Sequence, residues 1–155
     1  MLQRVQSVWL FFATAALFSL FLFPYLQILS IDGTAQIIKV TGVYENIGGQ
    51  SVQTKPFLLL TIATVLVALI PFAIIFSYKD RKKQLMRCYL AIVAIIGFSF
   101  WLVQNAKAEL GDSQLKLDNY SIGVILPSAA ILFIFLAIRG IKHDEKLIKS
   151  ADRLR

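Results

Sequence analysis

"PFLLLTIATVLVALIPFAIIFSYKDRKKQLMR", residues 56–87, decides how the rest of the chain is read. Residues 56–77 hold no charged side chain, and a helix needs roughly 20 apolar residues to cross a hydrocarbon core. The ten residues that follow carry Lys79, Arg81, Lys82, Lys83 and Arg87 against one acid, Asp80. An uncharged run that stops at a block of cations is the signature of a membrane span ending on its cytoplasmic side.

Working outward, three more uncharged runs occupy residues 8–28, 88–103 and 120–138. Extended to helical length, the four predicted spans are 8–28, 56–78, 85–106 and 120–139, in one membrane domain covering 1–155. The chain is 57% hydrophobic and 16% charged, with a mean hydropathy of +0.70. Soluble domains are about half apolar and a quarter charged. Arg4 precedes the first span, and Arg139, Lys142, Lys146, Lys149, Arg153 and Arg155 follow the last. The other two connections hold Lys39 and Lys55, then Lys107 and Lys116, each set matched or outweighed by acids. Both termini and the short basic loop are therefore expected in the cytoplasm. The first run is long and lacks a small-x-small cleavage site after it, so an uncleaved helix is expected rather than a secretory signal.

Between the first two spans the composition turns to Val, Ile and Thr. Asp32-Gly33 is a favoured hairpin dipeptide, and Gly48-Gly49 is a second turn signal. Strands are expected near 27–31, 34–44 and 50–54. Such a small sheet is marginal by itself, so it should lean on helix ends or on a partner. The loop from Asn105 onward should extend the third helix as far as a stop at Gly111. The expected fold is all-α and membrane-embedded: a four-transmembrane-helix bundle, an extracytoplasmic β-hairpin or meander within 27–54, and an amphipathic cytoplasmic tail helix over 140–155.

Chemistry inside the spans is sparse. Ionisable groups at membrane depth mark proton, ion or substrate paths; short of the polar residues at the span ends, the spans offer the hydroxyls of Thr14, Ser19, Thr61, Thr64, Ser99, Ser121 and Ser128, and such hydroxyls ordinarily bond back to the preceding turn. Pro24, Pro71 and Pro127 place one proline in each of three spans, which reads as static kinks or, for a carrier, as broken helices. Gly97 and Gly123 read as close-packing points. Cys88, beside Arg87, reads as an inert interfacial thiol. No catalytic, metal or cofactor site is expected.

In the tail, "IKHDEKLIKSADRLR", an advance of about 100° per residue gathers Lys142, Lys146, Lys149 and Arg153 on one ridge. Ile141, Leu147, Ile148, Ala151 and Leu154 lie roughly opposite, with Asp144 among them, and Asp152 borders the ridge. The ridge suits anionic lipid headgroups, whereas the acids suit a protein contact. The candidate docking residues are thus Lys142, Lys146, Lys149, Arg153, Asp144 and Asp152 in the tail, with Lys79, Arg81, Lys82 and Arg87 in the loop. Cations placed just outside apolar runs argue against nucleic acid as a partner.

"MLQRVQSVWL" at the start, "IFSYKDRKKQLMRCYL" after the second span and "LAIRGIKHDEKLIKSADRLR" at the end resemble an uncharacterised membrane family of Bacteroidota, domain of unknown function 4293. The resemblance covers essentially the whole chain. It implies four spans and a bacterial inner-membrane location, and no reaction. The expectation from the whole sequence is a non-catalytic integral membrane protein, an accessory or scaffold subunit docking through its basic loop and tail. The alternative is a small carrier or binder of lipid or apolar molecules.

Overall fold

The computed structural model describes residues 3–29, 35–47, 50–77, 80–110 and 119–152. Its helices are α1 (Gln3–Phe18), α2 (Leu58–Ile75), α3 (Arg81–Leu110) and α4 (Ile125–Asp152). Short 3-10 turns follow α1 at Ser19–Phe21 and precede α4 at Ile122–Val124. Four strands separate α1 from α2: β1 (Leu26–Leu29), β2 (Ala35–Lys39), β3 (Gly42–Ile47) and β4 (Gln50–Pro56). They pair antiparallel in sequence order.

α1 packs on α2 and α4, and α3 packs on the same two neighbours. Ala13, Ala68, Ala91, Ala130 and Ala137 are wholly enclosed; small side chains there let helix backbones approach closely. Trp9 of α1 stacks on Phe133 of α4 at 6.0 Å. Three helical segments are long and apolar enough to cross a membrane, yet only 28%, 33% and 33% of their most apolar windows are buried within the protein. Leu58, Leu66, Val93, Ile96 and Leu132 all face outward. A helix of a soluble protein shows the reverse pattern, polar outside and apolar within.

The first helix departs from the expected span 8–28. Its α-helical part, Gln3–Phe18, has 16 residues against 18, 30 and 28 in the other three, and a 3-10 turn ends it at Phe21. Pro24 is the reason: it lacks an N–H and disfavours helical backbone at the residue before it. The chain then enters β1 at Leu26, inside the stretch expected to be helical. Pro127 likewise falls in the first turn of α4, where a missing N–H is tolerated. Pro71 alone stands in the interior of a helix, in α2. Of the three prolines expected within spans, one stands in a helix interior, which removes most of the support for broken helices.

The sheet has four strands where three were expected. The run 34–44 divides at a turn over Val40 and Thr41, with Lys39 paired to Gly42. In "KVTG" only Gly42 hints at a turn, and the carbonyls of the two central residues are satisfied from elsewhere. Val40 O accepts from the Thr61 hydroxyl at 3.1 Å, and Thr41 O accepts from the Phe57 N–H at 3.0 Å. β3 and β4 pair down to Ile47 and Gln50, flanking Gly48-Gly49. β1 and β2 pair down to Leu29 and Ala35. The turns at Asp32-Gly33 and Gly48-Gly49, and the expected stop at Gly111, lie outside the described residues.

As expected, the sheet leans on helix ends. Leu26 bridges to Tyr120, the Ser121 N–H donates to Tyr25 O, and the Gly123 N–H donates to Pro24 O at 2.9 Å. Lys55 on β4 pairs with Glu109 near the end of α3 at 2.6 Å. Gly123 is a close-packing point, since a Cβ there would sit 2.6 Å from Pro24 O. Gly97 is not one, because a Cβ there would meet nothing within 4 Å. Thr14, Ser19, Thr61, Thr64 and Ser99 all donate to the carbonyl four residues earlier, at 2.7–3.0 Å. Four of them are spent on their own helices, while the Thr61 hydroxyl is shared between Phe57 O and Val40 O.

Candidate functional site

Opposite the sheet, the ends of α1, α3 and α4 meet in a polar region. The basic loop of the sequence reading is largely helix: α3 begins at Arg81 and carries Lys82, Lys83 and Arg87 in its first two turns. Cations at a helix N-terminus oppose the helix dipole, and Asp80 offsets them. Its carboxylate accepts from the Lys83 backbone N–H at 3.3 Å and pairs with the Lys83 ammonium at 3.1 Å. The side-chain hydrogen bond from Lys83 holds that carboxyl below the usual range. Lys82 is exposed, and Arg81 is half-buried with one guanidinium nitrogen enclosed and unpartnered among the described residues. Arg87 turns towards α2, donates to the Ser77 hydroxyl and lines a hollow of about 300 Å³ between α2 and α3. Lys79 lies outside the described residues.

The tail is no separate helix. α4 runs unbroken through Asp152, so the basic segment continues the same helix as the apolar run. Its inner face stays packed on α1 beyond the apolar run: Ile138, Ile141 and Asp144 are 4%, 1% and 7% exposed. The Gln6 amide of α1 donates to one Asp144 carboxylate oxygen, while the other has no partner among the described residues. Asp144 was expected to serve a protein contact, with the basic loop or another subunit; its contact is instead buried within the chain, against α1. The helical arc explains this, since Asp144 follows Ile141 by three residues on the face that α1 covers. Leu147, assigned to the apolar arc, is 48% exposed. Lys149 and Asp152 lie on the last turns of α4 with their side chains outside the described set, as is all of Arg153.

What the fold does bring together is Lys142 and Lys146 with Arg139, His143 and a side chain of α3. They line a groove of about 630 Å³ whose remaining walls are Tyr89, Phe135, Leu136 and Ile138. The Lys142 ammonium stands 5.6 Å from the Tyr89 ring centroid, within cation–π range. The ridge of the sequence reading is thus one edge of an amphipathic cleft, and Arg87 belongs to another face. Tyr89, Arg139 and Gln6 were not singled out as site residues. Tyr89 follows Cys88 at the start of an apolar run, and only the pairing of α3 with α4 reveals its role. Cys88, expected at an interface, is fully buried. Among the described residues no group of three His, Cys, Asp or Glu side chains is placed to hold a metal ion.

A second, smaller cavity of about 170 Å³ opens between α3 and α4 at the sheet end, walled in part by Tyr25, Leu102, Ala106 and Pro127. The Tyr25 hydroxyl is enclosed and has no partner among the described residues.

The Asp144 contact makes a direct prediction. Asp144→Ala strands the buried Gln6 amide and should weaken the α1–α4 contact by about 2 kcal/mol. Asp144→Asn keeps an acceptor for Gln6 and should retain most of it. Amide exchange across residues 138–147 measures the difference, and equal protection in both variants would show that the pair contributes nothing.

Four helices, three of them able to span a membrane, closed at one end by a small antiparallel sheet and at the other by cations, define the class to which this protein belongs. Residues 2–154 match the model of the family described as Domain of unknown function (DUF4293), and the chain belongs to that family. A search of the curated proteins found no match.

Proposed function

We propose that the protein is a non-catalytic integral protein of the bacterial inner membrane that serves as an accessory or scaffold subunit and docks through its basic end. The observation that carries this reading is the division of its surface. The helix flanks are apolar along their length, while Arg139, Lys142, Lys146, Lys82 and Lys83 stand exposed at one end. Surfaces of the first kind need lipid around them, and cations of the second kind mark the cytoplasmic side. Both termini and the α2–α3 connection are then cytoplasmic, and the sheet faces outward.

Two measurements test this. Lys82→Cys should resist a membrane-impermeant thiol reagent added outside intact cells, and labelling from outside would reverse the orientation. Purification from native membrane in mild detergent should bring down one protein partner in stoichiometric amount. A chain that elutes with lipid and no protein would replace the scaffold reading by the lipid binder. Burial of Asp144 already leans towards lipid, because it removes one acid from the surface offered to anionic headgroups.

A further inference from the structure

We infer that the α3–α4 groove is a discrete site for one anionic phospholipid molecule, with its phosphate held by Arg139, Lys142 and Lys146 and one acyl chain laid along Tyr89 and Phe135. The three cations follow one another at intervals of three and four residues, which sets them along one strip of α4. At 1.5 Å rise per residue the strip is about 10 Å long. Among the described residues no acid lines the groove, and the neighbouring Asp144 is turned away to Gln6. Its polarity is ordered as a phospholipid's is: Phe135, Leu136 and Ile138 lie towards the middle of the span, and the cations lie beyond them towards the tail. A small inorganic anion would have no use for the apolar half. A soluble acidic peptide would have to cover Phe135, which is 54% exposed among the apolar flanks. Tyr89 holds the Lys142 ammonium at the mouth of the cleft, where a phosphate oxygen can share it. Basic pockets between helices at the cytoplasmic face are a known means of retaining acidic headgroups.

The inference rests on the basic end lying at the membrane surface, as proposed above. It is tested by native mass spectrometry of the full chain released from nanodiscs of phosphatidylglycerol and phosphatidylcholine. Wild type should retain one phosphatidylglycerol per chain. Combining Arg139→Gln, Lys142→Gln and Lys146→Gln should weaken retention about 100-fold, from roughly fivefold per cation. Lys82→Gln with Lys83→Gln removes exposed charge from the same end without touching the groove, and should leave the count unchanged. Phe135→Ser should lower retention with the charges intact. An equal fall in the groove and control sets would mean diffuse attraction and overturn the site, as would a wild type that retains no lipid. Outside labelling of Lys82→Cys would withdraw the cytoplasmic placement while leaving the lipid count intact, so the two failures are distinguishable.

Discussion

Gly123→Val should separate the start of α4 from the strand it supports. The substituted Cβ would lie 2.6 Å from Pro24 O, 2.8 Å from Pro24 C and 2.9 Å from Tyr25 Cα. All three are backbone atoms, so no side-chain rotation relieves the clash. Relief requires moving the 3-10 turn at Ile122–Val124, which breaks the Gly123 N–H to Pro24 O bond and the neighbouring Ser121 to Tyr25 bond. Overpacking a close contact costs about 1–3 kcal/mol, and the two lost hydrogen bonds add about 1 kcal/mol each. A cysteine pair at the bridge partners, Leu26→Cys with Tyr120→Cys in a Cys88→Ser background, reports the outcome. Oxidation should close the pair in the parent and largely fail once valine is added. Equal yields with and without Gly123→Val would show that the junction yields freely.

Gly42→Val should be comparably damaging, with its effect confined to the sheet. Gly42 has φ +153°, a backbone region that L side chains rarely adopt and that costs about 1–3 kcal/mol when forced. A Cβ there would also lie 2.3 Å from Lys55 O. The two costs together come to about 4 kcal/mol, or roughly a thousandfold in the opening equilibrium. Amide exchange in β3 and β4 should accelerate by that order, with the protection of α3 little changed. Loss of protection throughout α3 would show that the helices depend on the sheet; no change anywhere would show that the strand pairing is not as described.

Much of this architecture is legible without coordinates, because long uncharged runs have few alternatives. The third run predicts a helix over residues 85–106, and α3 contains that range within Arg81–Leu110. Where the reading missed, a tertiary partner decided against the local signal. The turn at Val40-Thr41 carries β-branched residues and no glycine or asparagine, and helix α2 completes its hydrogen bonds. Asp144 looked like surface charge because fifteen residues of tail were judged apart from the helix that covers them. Its partner Gln6 sits just before the first apolar run, where a polar residue ordinarily faces water. The cations of the groove were legible as a ridge, but the aromatic wall that makes them a cleft comes from α3, more than forty residues earlier. Periodicity within one helix cannot supply a neighbour.

One consequence of the unbroken α4 concerns leverage. Twenty-eight residues make a rod about 42 Å long. Both the groove at its basic end and the cavity beside Tyr25 are spaces between this rod and α3. A rigid rod tilting about its midpoint cannot widen one end of such a seam without narrowing the other. A tilt of about 5° would shift each end by roughly 2 Å, near the radius of a methyl group. Were α4 to tilt as a rigid rod in the plane it shares with α3, room gained in one hollow would be lost from the other.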